Sequence, residues 1–129
     1  MKLSEINYDL TSAKEIEILD PVTKKSFENP AFISIYSIES NIGKQCQVSI
    51  YRDMLEITKE KKKPTDADIK KLTCKNIASL VAGWRGIEDE KGKEIEYSKE
   101  KAIEVLENYD MIFNVVDKES AKLGNYLGK

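Results

Sequence analysis

The period of the apolar residues changes once along the 129-residue chain, and that change constrains the fold more than any other feature. Glu15-Ile16-Glu17-Ile18-Leu19 alternates charged and apolar side chains, the two-residue period of a half-exposed strand. Asp20-Pro21 and Thr23-Lys24-Lys25 carry turn chemistry, because proline presets φ at the second turn position. Ala31-Phe32-Ile33-Ser34-Ile35-Tyr36 is a second extended run, rich in β-branched and aromatic residues. The pattern predicts a β-hairpin over 15–37 whose loop, about ten residues long, holds Ser26, Asn29 and Pro30. A two-stranded hairpin alone is marginal in water. It must pack on helices or extend a sheet in a neighbouring copy.

From about Glu39 the period lengthens. Ile42, Cys46, Ile50, Met54 and Ile57 recur every three or four residues, one stripe of an amphipathic helix. Lys59-Glu60-Lys61-Lys62-Lys63 closes it, with cations at the negative end of the helix dipole, and Pro64 breaks the chain. Thr65 is the expected N-cap of a second helix, with Asp66 and Asp68 in its first turn. Ile69, Leu72, Ile77, Leu80, Val81 and Trp84 continue at helical spacing, with Gly83 and Gly86 at the end and Gly86 as C-terminal cap. Residues 87–97 read as a polar loop with weak strand alternation. Ser98 is the expected N-cap of a third helix with Ala102, Ile103, Leu106 and Tyr109 inward. A fourth is expected from about Asp110 to Leu127, with Ile112, Val116, Leu123 and Leu127 on one side. The expectation is one α+β domain over 1–129: a polar lead-in (1–14), an N-terminal β-hairpin (15–37) and a mainly α-helical body of about four helices (38–129).

The composition narrows the chemistry. The chain has no histidine, which removes histidine-based triads, general bases and metal ligands. Cys46 and Cys74 are too few for a zinc site or a disulfide scaffold. A bridge between them stays open in the sequence, although thiols on apolar helix faces more often serve as small buried hydrophobes. No glycine-rich phosphate loop is present, and Gly83-Trp84-Arg85-Gly86 has neither the length nor the Lys-Ser/Thr of one. Glu88-Asp89-Glu90 lacks the alternating oxygen ligands of a calcium loop. The expectation is a non-enzymatic protein with no cofactor and no metal. The first residues hold no long apolar run, and no stretch nears the roughly 20 apolar residues of a membrane span. These features predict a soluble, cytosolic chain with reduced thiols and no membrane partner.

The net charge of −2 argues against a dedicated nucleic-acid binder. It conceals an uneven distribution. Between Lys59 and Lys75 there are seven lysines and three acidic residues, a local net of +4. Between Glu88 and Glu107 there are eight acidic residues and four lysines, a local net of −4. Such blocks are commonly solvated faces. The sharper reading is a head-to-tail contact between copies, since complementary potentials steer association and fix register. The basic block lacks interleaved aromatics, so a solvated helix connection is favoured over phosphate contact. Trp84, the only tryptophan, sits between glycines. It reads first as a core anchor, with a truncation cost of about 3–5 kcal/mol, and second as an interface anchor.

The segment from Gly83 to Glu100 resembles the tail assembly chaperones of long-tailed bacteriophages. That family tends to show a tryptophan-glycine pair, an acidic-glycine loop, and an apolar-x-aromatic-Ser before a helix. Trp84, Gly86, Asp89, Gly92, Ile95, Tyr97 and Ser98 occupy those positions. Ile16 to Lys25 is similar to the family's strand and x-Pro-x-Thr-Gly opening, with Lys24 where glycine is frequent. Tyr109-Asp110-Met111-Ile112 and the closing Ser120 to Tyr126 look like the family's ending, with Tyr109-Asp110 where Pro-Trp is common. Where members often carry Asp-Arg-Ala-Asn-Phe, this chain has Glu119-Ser120-Ala121-Lys122-Leu123. The resemblance spans about residues 15–127, and only 83–98 is motif-like.

The resemblance implies a protein made during virion morphogenesis in the host bacterial cytoplasm and absent from the finished particle. It implies binding to the tape measure protein, recruitment of tail tube subunits, and self-association into oligomers or spirals. The expected partner-binding residues are Trp84, Ile87, Tyr97, Tyr109, Ile112 and Phe113. It also implies a longer product made by ribosomal frameshifting, for which Leu127-Gly128-Lys129 can be encoded by a slippery run. Two alternatives stand beside it. One is a structural tail protein, such as a tube or connector subunit. The other is a small nucleic-acid-associated regulator using the basic segment 59–75.

Overall fold

The computed structural model of the chain describes residues 1–60 and 63–127. Lys61 and Lys62 of the basic connection, and Gly128 and Lys129 of the frameshift reading, lie outside the described residues. Three strands, β1 (Lys14–Leu19), β2 (Ser26–Ile35) and β3 (Val81–Arg85), form an antiparallel sheet in the order β1-β2-β3. Four α-helices follow or interleave: α1 (Asn41–Glu60), α2 (Asp66–Ile77), α3 (Lys99–Asn108) and α4 (Asp110–Ser120). The architecture is α+β, with the N-terminal hairpin leading into the helices and a third strand added between α2 and α3.

The hairpin solves its stability problem within its own chain. The two-residue period sends Ile18, Ala31, Ile33 and Ile35 to one face, where they are buried against the helices. β3 then pairs with β2, Ile33 opposite Trp84 and Ile35 opposite Val81. The turn is tighter than the expected loop, because Ser26 already pairs with Leu19. Asp20 closes it, its Oδ1 accepting from the backbone N–H of Val22 at 2.8 Å and of Thr23 at 3.1 Å. The excess length appears instead as a bulge. The register jumps from Ile18–Ala31 to Leu19–Ser26, which leaves residues 27–30 without partners on β1.

The second helix is shorter than its spacing implied. Thr65 does cap α2: its side chain accepts from the Asp68 N–H, and Asp68 reaches back to the Thr65 N–H, a complete capping box. The helix stops at Ile77, passes through a short 3₁₀ turn (Ala78–Leu80), and Val81 to Arg85 is strand. Leu80, Val81 and Trp84 therefore do not continue a helical face. Gly83 lowers helix propensity there, and the unfilled edge of β2 offers Val81 a ladder instead. Gly86 has the left-handed φ of +80° expected of a cap, but it ends a strand.

α4 also ends early, at Ser120 rather than near Leu127. Leu123 and Leu127 are exposed, and the buried residue of this tail is Tyr126, fully enclosed with its hydroxyl donating to the Ile35 carbonyl at 2.9 Å. The polar lead-in is docked as well. The Asp9 N–H donates to the Tyr126 carbonyl at 2.6 Å, and Tyr8 bridges Leu127. Thr11, through its hydroxyl and then its N–H, holds the Asp9 carboxyl down at about 2.

The core lies between the sheet and the helices. Cys46 of α1, Cys74 and Ile77 of α2, Leu80, Ala102, Val105 and Leu106 of α3, and Ile112 and Val116 of α4 cover the strands. Both cysteines are free thiols buried in that core, and burial pushes each thiol pKa up. Asn76 ties α1 to α2, donating to Asp53 Oδ2 at 2.9 Å and to the Leu72 carbonyl at 3.0 Å.

Candidate partner-binding site

The segment between β3 and α3 folds back on itself as a small hairpin, with Glu88 bridging Glu94. Ser98 caps α3 by accepting from the Lys101 N–H at 3.1 Å. Between Gly86 and Ser98, the Asp89 N–H donates to the Lys93 carbonyl at 2.8 Å and the Ile95 N–H to the Ile87 carbonyl at 2.7 Å. Asp89 Oδ1 accepts from the N–H groups of Lys91 and Lys93, both at 2.9 Å, and Gly92 supplies the left-handed residue, φ +78°. This is the acidic-glycine loop of the sequence, now with a reason for each residue. Asp89 wraps the turn and Gly92 allows it.

Trp84 and Tyr97 anchor that hairpin. The Trp84 Nε1 donates to the Ile95 carbonyl at 2.8 Å, and the Tyr97 hydroxyl donates to the Val81 carbonyl at 2.9 Å. Their rings meet edge to face, centroids 5.2 Å apart at 87°. Burial raises the Tyr97 phenol pKa, which keeps it a donor. Both residues are half-buried against the core. Trp84 thus takes the anchoring role, and these two residues position the site more than they face it.

Ile87, Tyr109 and Ile112 come together. With Ile95, Val105, Asn108 and Met111 they line an open groove of about 670 Å³ between the hairpin and the α3–α4 junction. Its rim carries Glu88, Asp89, Glu90 and Asp110. Tyr109 is 59% exposed, although its backbone serves as the N-cap position of α4. A large aromatic left in solvent beside an apolar floor is an unpartnered surface feature. Phe113 does not join this set. It lines a second groove, of about 290 Å³, with Ile69, Thr73 and Cys74 of α2. Lys70 and Asp110 close that groove through a 3.0 Å ion pair, and the bond to Asp110 raises the Lys70 pKa. The six expected residues therefore divide into two anchors, three groove residues and one residue on the far side of α4.

Two features were missed in the sequence. Met111 and Ile95 belong to the groove floor, and only the packing of two distant segments shows it. The outer face of α1 carries Val48, Tyr51 and Leu55, exposed by 63%, 68% and 48%. Their i, i+3, i+7 spacing was legible as a second apolar stripe, opposite the buried one.

Among the described residues, no group of three or more Cys, Asp or Glu side chains is placed to hold a metal ion. No helix among them is long and apolar enough to cross a membrane. The groove offers an apolar lining bordered by exposed carboxylates.

Comparison with curated proteins and with solved structures finds no match. Residues 42–127, about two thirds of the chain, match the profile of the YdaY prophage protein. The matched region contains all four helices bar the first residue of α1, together with β3 and the groove. By that match the chain belongs to the YdaY prophage protein family.

Proposed function

We propose that this prophage protein is a tail assembly chaperone. It binds the tape measure protein during tail morphogenesis, keeps its apolar helices soluble, and recruits tail tube subunits. It acts without catalysis, in the host bacterial cytoplasm, and leaves before the particle is complete. The observation that carries this reading is the groove that gathers Ile87, Tyr109 and Ile112 from two separate parts of the chain. An open apolar trough of this size suits successive side chains of an amphipathic helix, taken at helical spacing. Membership of a prophage family supplies the setting, and the resemblance over residues 83–98 supplies the class of client.

The test is co-expression with the tape measure protein encoded in the same prophage. The expected result is a soluble complex on size exclusion, with Tyr109→Ser weakening it. A client that stays insoluble, with no complex recovered, would refute the chaperone reading. So would finding the chain by mass spectrometry as a stoichiometric component of purified virions, which is the outcome a structural tail protein requires.

A further inference from the structure

Two separate surfaces of the molecule complement each other. The first is the outer face of α1. At about 100° per residue, Val48, Tyr51 and Leu55 fall within about 60° of arc, pointing away from the buried stripe. The charged residues bordering that arc are Lys44, Arg52 and Lys59. The helix's acidic residues, Asp53, Glu56 and Glu60, lie farther round the same flank as Arg52 and Lys59, toward the buried stripe, where Asp53 bonds Asn76. The second surface is the groove lined by Ile87, Ile95, Tyr109 and Met111, with four carboxylates and no cation among its lining residues. One is a convex apolar ridge with a basic border. The other is a concave apolar trough with an acidic border.

We propose that α1 of one copy seats Val48, Tyr51 and Leu55 in the acidic-rimmed groove of a second copy, with Lys44, Arg52 and Lys59 against Glu88 and Glu90. The anchors sit at i, i+3 and i+7, the spacing by which an amphipathic helix fills a groove. Opposite border charges fix its direction and register. The complementarity refines the sequence-level contrast of basic and acidic blocks. Lys70 of the basic block is already engaged within its own chain by Asp110. The cations free to reach a neighbour's groove therefore include those of the outer α1 face.

The contact has a structural consequence. Ridge and groove are different surfaces, so a contact made one way leaves a ridge and a groove for further copies, whereas two contacts made reciprocally close a two-fold dimer. The first arrangement grows into rings or open helical arrays, and the second stops at two copies. The groove is also the surface assigned above to the client helix. A neighbouring α1 and a client helix then compete for it. The self-contact goes beyond the chaperone reading and stands without it.

The test uses the purified full chain alone, by sedimentation velocity across a wide concentration range with circular dichroism to verify folding. The wild-type chain should grow past the mass of a monomer as concentration rises. A ridge variant, Lys44→Glu with Arg52→Glu, and a groove variant, Glu88→Lys with Glu90→Lys, should each need at least about tenfold higher concentration to associate. Mixing the two restores opposite charges across every contact, so the mixture should assemble again. Leu55→Ser should weaken assembly without any change of charge. A wild-type chain that is monomeric throughout overturns the proposal. So does a mixture no more associated than its components. Because no client is present, these outcomes are independent of co-expression with the tape measure protein.

Discussion

Gly86 is where the sheet hands the chain to the groove-forming hairpin, and its replacement by alanine gives the sharpest structural test. Its φ is +80°, a region in which a Cβ costs about 1–2 kcal/mol. The Cβ would also sit well under 3.0 Å from the Pro30 carbonyl oxygen and 3.1 Å from the Ala31 Cα, both backbone atoms of β2. Relieving that overlap means moving β2 or abandoning the 2.7 Å bond from the Gly86 N–H to Glu94 Oε1. Overpacking of this kind adds about 1–3 kcal/mol. Gly92 provides the control. Its φ of +78° is nearly the same, but a Cβ there meets nothing within 4 Å. Gly92→Ala should therefore cost about 1–2 kcal/mol and Gly86→Ala about 2–5 kcal/mol. In a domain of this size the two should differ in Tm by roughly 3–15 °C. Urea denaturation with a constant m-value, read by circular dichroism, measures both. Equal costs would show that Gly86 does not pack against Pro30 as described, and would remove the reason for the hairpin's placement.

Further outcomes follow from single contacts. Tyr126→Phe should destabilise by about 1–2 kcal/mol through loss of the buried bond to the Ile35 carbonyl. Burial, then the nearby Glu119, pushes the Tyr126 phenol up to about 12. Its contribution is therefore whole below the unfolded value near 10 and is lost as pH rises through about 12. The phenylalanine variant should show a flatter alkaline unfolding profile, and identical profiles would refute the assignment. Thr65→Ala should cost about 1 kcal/mol by opening the capping box of α2, and an unchanged urea midpoint would count against that cap. Cys46 and Cys74 should resist thiol reagents until the chain unfolds, since both are buried with raised pKa values. Rapid labelling of the native chain would contradict the core described here.

The sequence alone determined what depends on neighbours along the chain. Alternation in 15–19 and 31–36 marked the hairpin, the spacing from Ile42 to Ile57 marked α1, and Thr65 and Ser98 marked the starts of α2 and α3. Caps and amphipathic periods are local, because a side chain three or four residues away supplies the partner. The tertiary structure decided what depends on distant segments. Val81 to Arg85 fits a helical period as well as a strand, and only the open edge of β2 makes it β3. Tyr126 looked like the end of a helix until the Ile35 carbonyl, 91 residues away in sequence, gave it a buried partner. The candidate site divides along the same line. Ile87, Tyr109 and Ile112 were identifiable as residues, but their meeting in one groove with Met111 and Ile95 is a product of packing. Trp84 and Tyr97 were drawn the other way, into anchoring, because the carbonyls of Ile95 and Val81 lie within reach of their polar atoms.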